Sequence, residues 1–179
     1  DAVRLFILSD SPPEKDVQWS ESGMVSAYKF IQKFWVLNEE IFSLINNKSS
    51  ERYDQIDIFT NQAINKINFA LEKFRYNVII AVFHEIYSFL KKILEENKNY
   101  ENLEVNFQKI LIVMSPVIPH LSSECLNIFG LEKNLNWPKV DEKYLNSNEK
   151  IIVIQINGKK RNTITITKEM EEKELMEKI

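Results

Sequence analysis

Two histidines, one cysteine and two basic clusters are the side chains of this 179-residue sequence on which any chemistry would rest. His120 stands one helical turn before Glu124, and Cys125 follows directly. A structural zinc ion takes four ligands, and one imidazole, one carboxylate and one thiol do not fill that shell. His120 therefore reads as a packed or helix-capping residue, and so does His84, which falls beside an apolar stripe. Cys125 has no basic neighbour to lower its pKa and reads as a structural thiol. No glycine-rich phosphate loop, nucleophile elbow or spaced carboxylate set occurs, and the pairs Glu39-Glu40 and Glu95-Glu96 read as solvated helix faces. The residues thus predict no catalytic group, no metal site and no cofactor site.

The basic clusters are more informative. Lys29 and Lys33 lie one turn apart beside Tyr28 and Trp35, and Lys159, Lys160 and Arg161 are consecutive. From Lys150 to Lys168 the chain carries Lys150, Lys159, Lys160, Arg161 and Lys168 and no acid, although the net charge of the whole is -3. Like charges held together cost energy, and an anionic partner, most commonly nucleic-acid phosphate, offsets that cost. Solvated lysines in a lysine-rich protein are the competing reading. An abundance of Ile, Lys and Asn, the mark of an AT-rich genome, discounts any single cluster. Phe30 and Trp35 read as core rather than as platforms for bases.

What must position these groups is mainly helical. Hydrophobic residues at 44% and charged residues at 27% suit one ordinary globular domain with a small appendage. Three Gly and five Pro are too few for a turn-rich β-sandwich or propeller. One Cys excludes a disulfide framework, so an intracellular, cytoplasmic protein is expected; no apolar run is long enough to span a membrane and no leader pattern opens the chain.

Apolar residues at steps of three and four predict helices over 1–10, about 22–46, 51–73, 77–97, 100–115 and 119–130. Their inward stripes include Met24, Ala27, Tyr28, Ile31, Phe34, Trp35, Ile41, Phe42 and Ile45 in the second helix. In the third they include Ile56, Phe59, Ala63, Ile64, Ile67, Ala70, Leu71 and Phe74. Asn77 is a plausible N-cap, and Pro119 suits a first helical turn. Short connections make neighbouring helices antiparallel, so the fold class expected is a mainly α, antiparallel helical bundle with a small β-hairpin/α appendage. The first helix lacks Met and a start signal, reads as cut from something longer, and leaves Asp1 in an element interior.

From Ile151 the period changes to β-branched runs around Asn157-Gly158, a hairpin signal. Setting Ile152 opposite Ile164 puts the isoleucines of both strands on one face. That register favours a connection of odd length with Gly158 or a neighbour at positive φ. An acidic helix over 169–178 follows. The 149–179 piece is too small to hold a core by itself.

Taken in order, Asp-Ala-Val-Arg-Leu-Phe (1–6), Ser-Pro-Pro-Glu-x-Asp-x-x-Trp-Ser-x-Ser-Gly (11–23) and Tyr-x-Phe-x-x-x-x-Trp (28–35) resemble the segment just downstream of the KMSKS loop in bacterial leucyl-tRNA synthetase. Arg75-Tyr76-Asn77 with Ala81 is similar to that family's Phe-Asn-Thr-Ala helix start, and Met-Ser-Pro-Val-Ile-Pro-His (114–120) to its Ser-Pro-Phe-Ala-Pro-His turn. Trp137-Pro138-x-Val-Asp141 is similar to its post-bundle linker, and Val153-Ile154-Gln155-Ile156-Asn157-Gly158-Lys159-x-Arg161 to the opening hairpin of its C-terminal domain. The resemblance departs after Pro-His, where Ser123, Cys125 and Leu126 replace part of the family's acid pair and Trp.

The resemblance implies a connecting helix and loop over 1–23, a helical tRNA-binding bundle with linker over 24–148, and a truncated C-terminal α/β domain over 149–179. It implies a parent ligase that uses ATP with magnesium to join leucine to tRNA(Leu), whose catalytic and editing domains would be this segment's partners. The segment itself would hold the tRNA body, by shape and backbone rather than by anticodon, and would be inactive alone. Its candidate tRNA contacts are Lys29, Lys33, Lys159, Lys160 and Arg161. The equivalent bundle of an isoleucyl-, valyl- or methionyl-tRNA synthetase, which should lack the Gln-x-Asn-Gly-Lys hairpin, and a helical protein-interaction module are the alternatives.

Overall fold

A computed structural model describes residues 1–10, 14–49, 51–131, 135–145, 149–156 and 159–167, the last two stretches by their backbone. It is mainly helical: α1 (Ala2–Asp10), α2 (Glu21–Ile45), α3 (Asp54–Glu72), α4 (Tyr76–Glu95), α5 (Leu103–Met114) and α6 (Pro119–Ile128). These belong to a compact unit, Asp1–Asp141. Within it α3 packs on α4 and α5, α2 on α4 and α6, α5 on α6, and α1 on α2 and α4.

Ser20 starts α2, its Oγ accepting from the Gly23 N–H at 3.2 Å, so a short polar side chain satisfies one of the orphan donors of the first turn. Glycine at position 23 is set by packing. A Cβ there would come within 2.6 Å of the Phe6 ring, so its absence lets α1 lie close against α2. The buried residues of α2 are Ala27, Phe30, Phe34, Leu37, Asn38, Ile41 and Leu44. The expected stripe is therefore rotated. Ile31, Trp35 and Ile45 are only partly buried, and Tyr28, one residue and so about 100° beyond Ala27, is 55% exposed rather than inward.

The α3 stripe holds at Ile56, Ala63, Ile64, Ile67 and Ala70 but fails at Phe74, which is 61% exposed. Phe74 has φ 53°. The Arg75 N–H donates to Ala70 O and the Phe74 N–H to Leu71 O, the paired bonds of a Schellman end, here with Phe where glycine is usual. Gly130 (φ 71°) ends α6 in the same way, with Leu131 donating to Leu126 O and Gly130 to Asn127 O. Asn77 is not the N-cap expected of it: α4 begins at Tyr76 behind Arg75, without a side-chain cap. Pro119 does open α6.

α3 starts at Asp54, three residues later than expected, and α5 at Leu103. A buried polar hub joins these two starts. Asp57 accepts from Arg52 Nη2 (2.6 Å), Asn102 Nδ2 (2.6 Å) and Asn106 Nδ2 (2.9 Å). Asn102 also brackets the Tyr53 peptide, donating to its carbonyl and accepting from its N–H. Phe34, Phe83, Phe107, Ile64, Ile67 and Ile86 are fully buried. Residues after α6 run back along α3, where the Asp141 N–H donates to Asn61 Oδ1 and Trp137 Nε1 to Asn68 Oδ1.

A second unit, Glu142–Ile179, contains a 3-10 turn (Glu142–Tyr144) and two antiparallel strands, β1 (Glu149–Ile156) and β2 (Lys159–Thr167). Ile152 faces Ile164 as expected, but not through an odd-length connection. Ile156 pairs with Lys159, and the register shifts between Ile154 and Gln155, where Arg161 is passed over. A bulge supplies the offset that the isoleucine pattern demands. The expected positive φ at Gly158, the 11–13 turn and the helix over 169–178 lie outside the described residues.

Candidate nucleic-acid interface

The 3.6-residue period of α2 sets Ser26, Lys29 and Lys33 along one side of the buried Phe30, and that of α4 sets His84 and Tyr87 opposite them. Between the helices these six residues line a recess of about 250 Å³. Phe30 forms its floor at 6% exposure, with the His84 ring edge-on at 4.6 Å and the Tyr87 ring at 6.2 Å between centroids. Ser26, Phe30 and His84 also border a second hollow of about 380 Å³, which continues toward α1 past Ser20, Ser22 and Phe6.

Lys29 and Lys33 are both exposed, and neither has an ion-pair partner among the described residues. That distinguishes them from two other helix lysines. Lys66 Nζ sits 2.7 Å from Glu85 and Lys91 Nζ 2.7 Å from Glu40, and the Glu40 hydrogen bond raises the Lys91 pKa. His84 is open to solvent along part of its surface, yet burial of its ring lowers its pKa from the ordinary value. At neutral pH it presents an uncharged imidazole beside two cations. Two positive charges over an aromatic floor can bind an anion that carries a planar apolar group.

The expected pair Lys29 and Lys33 is thus brought together at one mouth. Lys159 and Lys160 occupy the start of β2, paired with Ile156 and Gln155, and Arg161 stands at the bulge; their side chains lie outside the described residues. Phe30 is core, as its pattern suggested, and Trp35 is half-buried. Sequence reasoning did not connect Ser26, His84 and Tyr87 with the lysines. Each helix shows its own spacing, but which two faces meet is fixed only by packing.

His120 and Cys125 do not converge on a metal geometry, and no group of three or more His, Cys, Asp or Glu side chains able to hold a metal ion occurs among the described residues. Cys125 is fully buried, and burial pushes its thiol up to about 12. The His120 side chain is largely exposed, with Nδ1 3.0 Å from the Asp1 carboxylate. Asp1 and Arg4 were invisible as partners in the sequence. Leu121 N–H donates to Asp1 Oδ2 at 2.6 Å and His120 N–H to Oδ1 at 3.3 Å, while Arg4 donates to the carbonyls of Val117 and Pro116. Asp1 also serves beyond its own helix. It caps a different one.

Residues 55–176 match the family model described as the anticodon-binding domain of tRNA ligase. A leucine–tRNA ligase of Fusobacterium nucleatum is 35% identical over 189 residues, covering 96% of this chain and 22% of that protein. The leucine–tRNA ligase of Roseobacter denitrificans is 32% identical over 182 residues, covering 100% of this chain and 21% of that protein. The chain thus spans about a fifth of the length of these curated relatives. Its fold is similar to part of the crystal structure of the ternary complex of Agrobacterium radiobacter K84 agnB2 LeuRS with tRNA and LeuAMS, at a TM-score of 0.71 and 20% identity, over 99% of this chain and 24% of that one.

Proposed function

This chain belongs to the anticodon-binding domain family of tRNA ligases, on its leucyl-tRNA synthetase branch, and on that footing we propose that it is the segment of a leucine–tRNA ligase that holds the body of tRNA(Leu). The observation that carries the reading is the pair Lys29 and Lys33, exposed on the open side of α2 and without ion-pair partners among the described residues. Cations left unneutralised on a helix face can replace the counterions condensed on nucleic-acid phosphates, and the release of those ions is a large source of affinity. Both named relatives are leucine ligases, which favours the leucine enzyme over the isoleucine, valine and methionine ones.

In this reading residues 1–23 connect to a catalytic domain, 24–148 form the tRNA-binding bundle with its linker, and 149–179 open a C-terminal domain. Lys159, Lys160 and Arg161 would be the second point of contact with tRNA. The parent would work in the cytoplasm, using ATP with magnesium to activate leucine and transfer it to tRNA(Leu). Its catalytic and editing domains would be this segment's covalent neighbours. No described helix is long and apolar enough to cross a membrane.

The test is the affinity of the full-length ligase for tRNA(Leu) as a function of salt. Reversing both charges, Lys29→Glu with Lys33→Glu, should weaken binding and flatten the dependence of log affinity on log salt. Unchanged affinity and slope would remove this face from the tRNA interface.

A further inference from the structure

We propose that the recess between α2 and α4 receives one unstacked RNA nucleotide, its base lodged against His84, Tyr87 and Phe30 and its phosphate held by Lys29 and Lys33. The inference rests on the tRNA-binding reading and narrows it, from contact with a helical backbone to capture of a single splayed base.

Phosphate contact alone needs only exposed lysines on a convex face. Here the two lysines stand at the rim of a hollow whose floor is a buried phenyl ring. The hollow, about 250 Å³, lies below the size of a pocket for a drug-sized ligand. A duplex cannot enter it, whereas one planar ring system can. Single-stranded or looped RNA is recognised in this way, by bases stacked on aromatic or histidine rings while a positive rim follows the backbone.

The polar groups of the recess are also suited to the edge of a base. Among the described residues neither His84 ring nitrogen and no Tyr87 hydroxyl has a hydrogen-bond partner. The Ser26 hydroxyl donates to Ser22 O at 2.9 Å and keeps its acceptor capacity. The lowered pKa of His84 keeps its ring neutral near pH 7, so one nitrogen donates and the other accepts. The charge at the mouth then comes from the two lysines, and the ring beneath them supplies a π surface.

The experiment compares three variants of the full-length ligase in binding to a tRNA(Leu) transcript over a range of salt, with thermal melts confirming that each is folded. His84 is at the surface, so His84→Ala tests the base contact without opening the core. It should weaken binding about 5- to 150-fold, the worth of one stacked base, and leave the salt slope unchanged. His84→Phe, which keeps a ring, should retain most of the affinity. Lys29→Gln with Lys33→Gln should instead flatten the slope by about 1.4 to 1.8. If the lysine variant flattens the slope while His84→Ala binds normally, the nucleotide proposal is overturned and the tRNA-binding reading stands on phosphate contact alone. If neither variant changes affinity or slope, the proposal falls together with the assignment of this face to tRNA.

Discussion

Asp1 caps α6 from 120 positions away, its Oδ2 accepting the Leu121 N–H at 2.6 Å. The residue at the N-cap position itself, Ile118, has no side chain able to do this. A carboxylate at a helix N-terminus satisfies an orphan donor and meets the positive end of the helix dipole. Asp1→Ala should therefore lower stability by about 0.5 to 2 kcal/mol. Arg4→Ala should act in the same direction by about 0.5 to 1.5 kcal/mol, since the two carbonyls it releases lie near solvent. Denaturant unfolding of the single and double variants measures both, and coupling in the double is expected because both residues fasten the same turn.

Phe74 presents the opposite situation, a side chain held where the backbone favours none. At φ 53° a β-carbon is strained and the ring is mostly in solvent. Phe74→Gly should raise stability by up to about 1 kcal/mol, less whatever the edge-on contact with Tyr76 supplies. A clear loss of stability in thermal unfolding would show that the contact outweighs the strain.

Ile64 and Ile67 are completely buried in α3. Truncating either to Ala should cost about 2 to 5 kcal/mol. A loss below about 1 kcal/mol at both would contradict their place in the core.

Cys125 gives a pH prediction with a definite sign. Its folded pKa is raised to about 12 by burial, so the unfolded thiol loses its proton first as pH rises. The contribution to stability is complete below the unfolded pKa and is lost between about pH 9 and 12. Cys125→Ala should remove that part of the alkaline decline, as followed by chemical denaturation at successive pH values. At pH 8 a thiol-specific reagent should label the protein only as fast as it unfolds.

At the hairpin, Lys159, Lys160 and Arg161 test the second point of contact. If all three meet phosphates, replacing them together by Gln in the full-length ligase should flatten the salt slope for tRNA(Leu) by roughly two to three units and raise the KM for tRNA. An unchanged slope would leave this cluster to solvent.

Most helices were legible because their apolar spacing is dense, and α3 shows how far that goes. Its core positions from Ile56 to Ala70 follow from period alone, whereas Phe74 does not, because a Schellman end depends on backbone conformation that Phe rarely adopts. In α2 the stripe was correct in period and in Ala27, Phe34 and Ile41, but offset toward one edge. Its flanking aromatics are as hydrophobic as the core residues, so only the neighbours α1, α4 and α6 decide which edge is covered. The bulge at Arg161 was legible as an offset in the isoleucine pattern but not as a position. Of the recess, the lysine pair could be read locally. Its aromatic lining could not, since His84 and Tyr87 stand more than fifty positions from Lys29 and Lys33.

The Asp57 hub has a consequence for how such a bundle can be used. Apolar contacts carry no direction, so a small shift between helices costs them less than it costs a hydrogen bond. A carboxylate gripped by two amides and a guanidinium loses those bonds on a shift of about an ångström, within a medium that penalises their loss. Replacing Asp57, Asn102 and Asn106 together by apolar residues of similar volume need not weaken the interface, as buried polar groups are often matched by hydrophobic ones. What it would remove is the registration between α3 and α5. A helical scaffold contributes distance, and this cluster is the graduation mark from which that distance is kept.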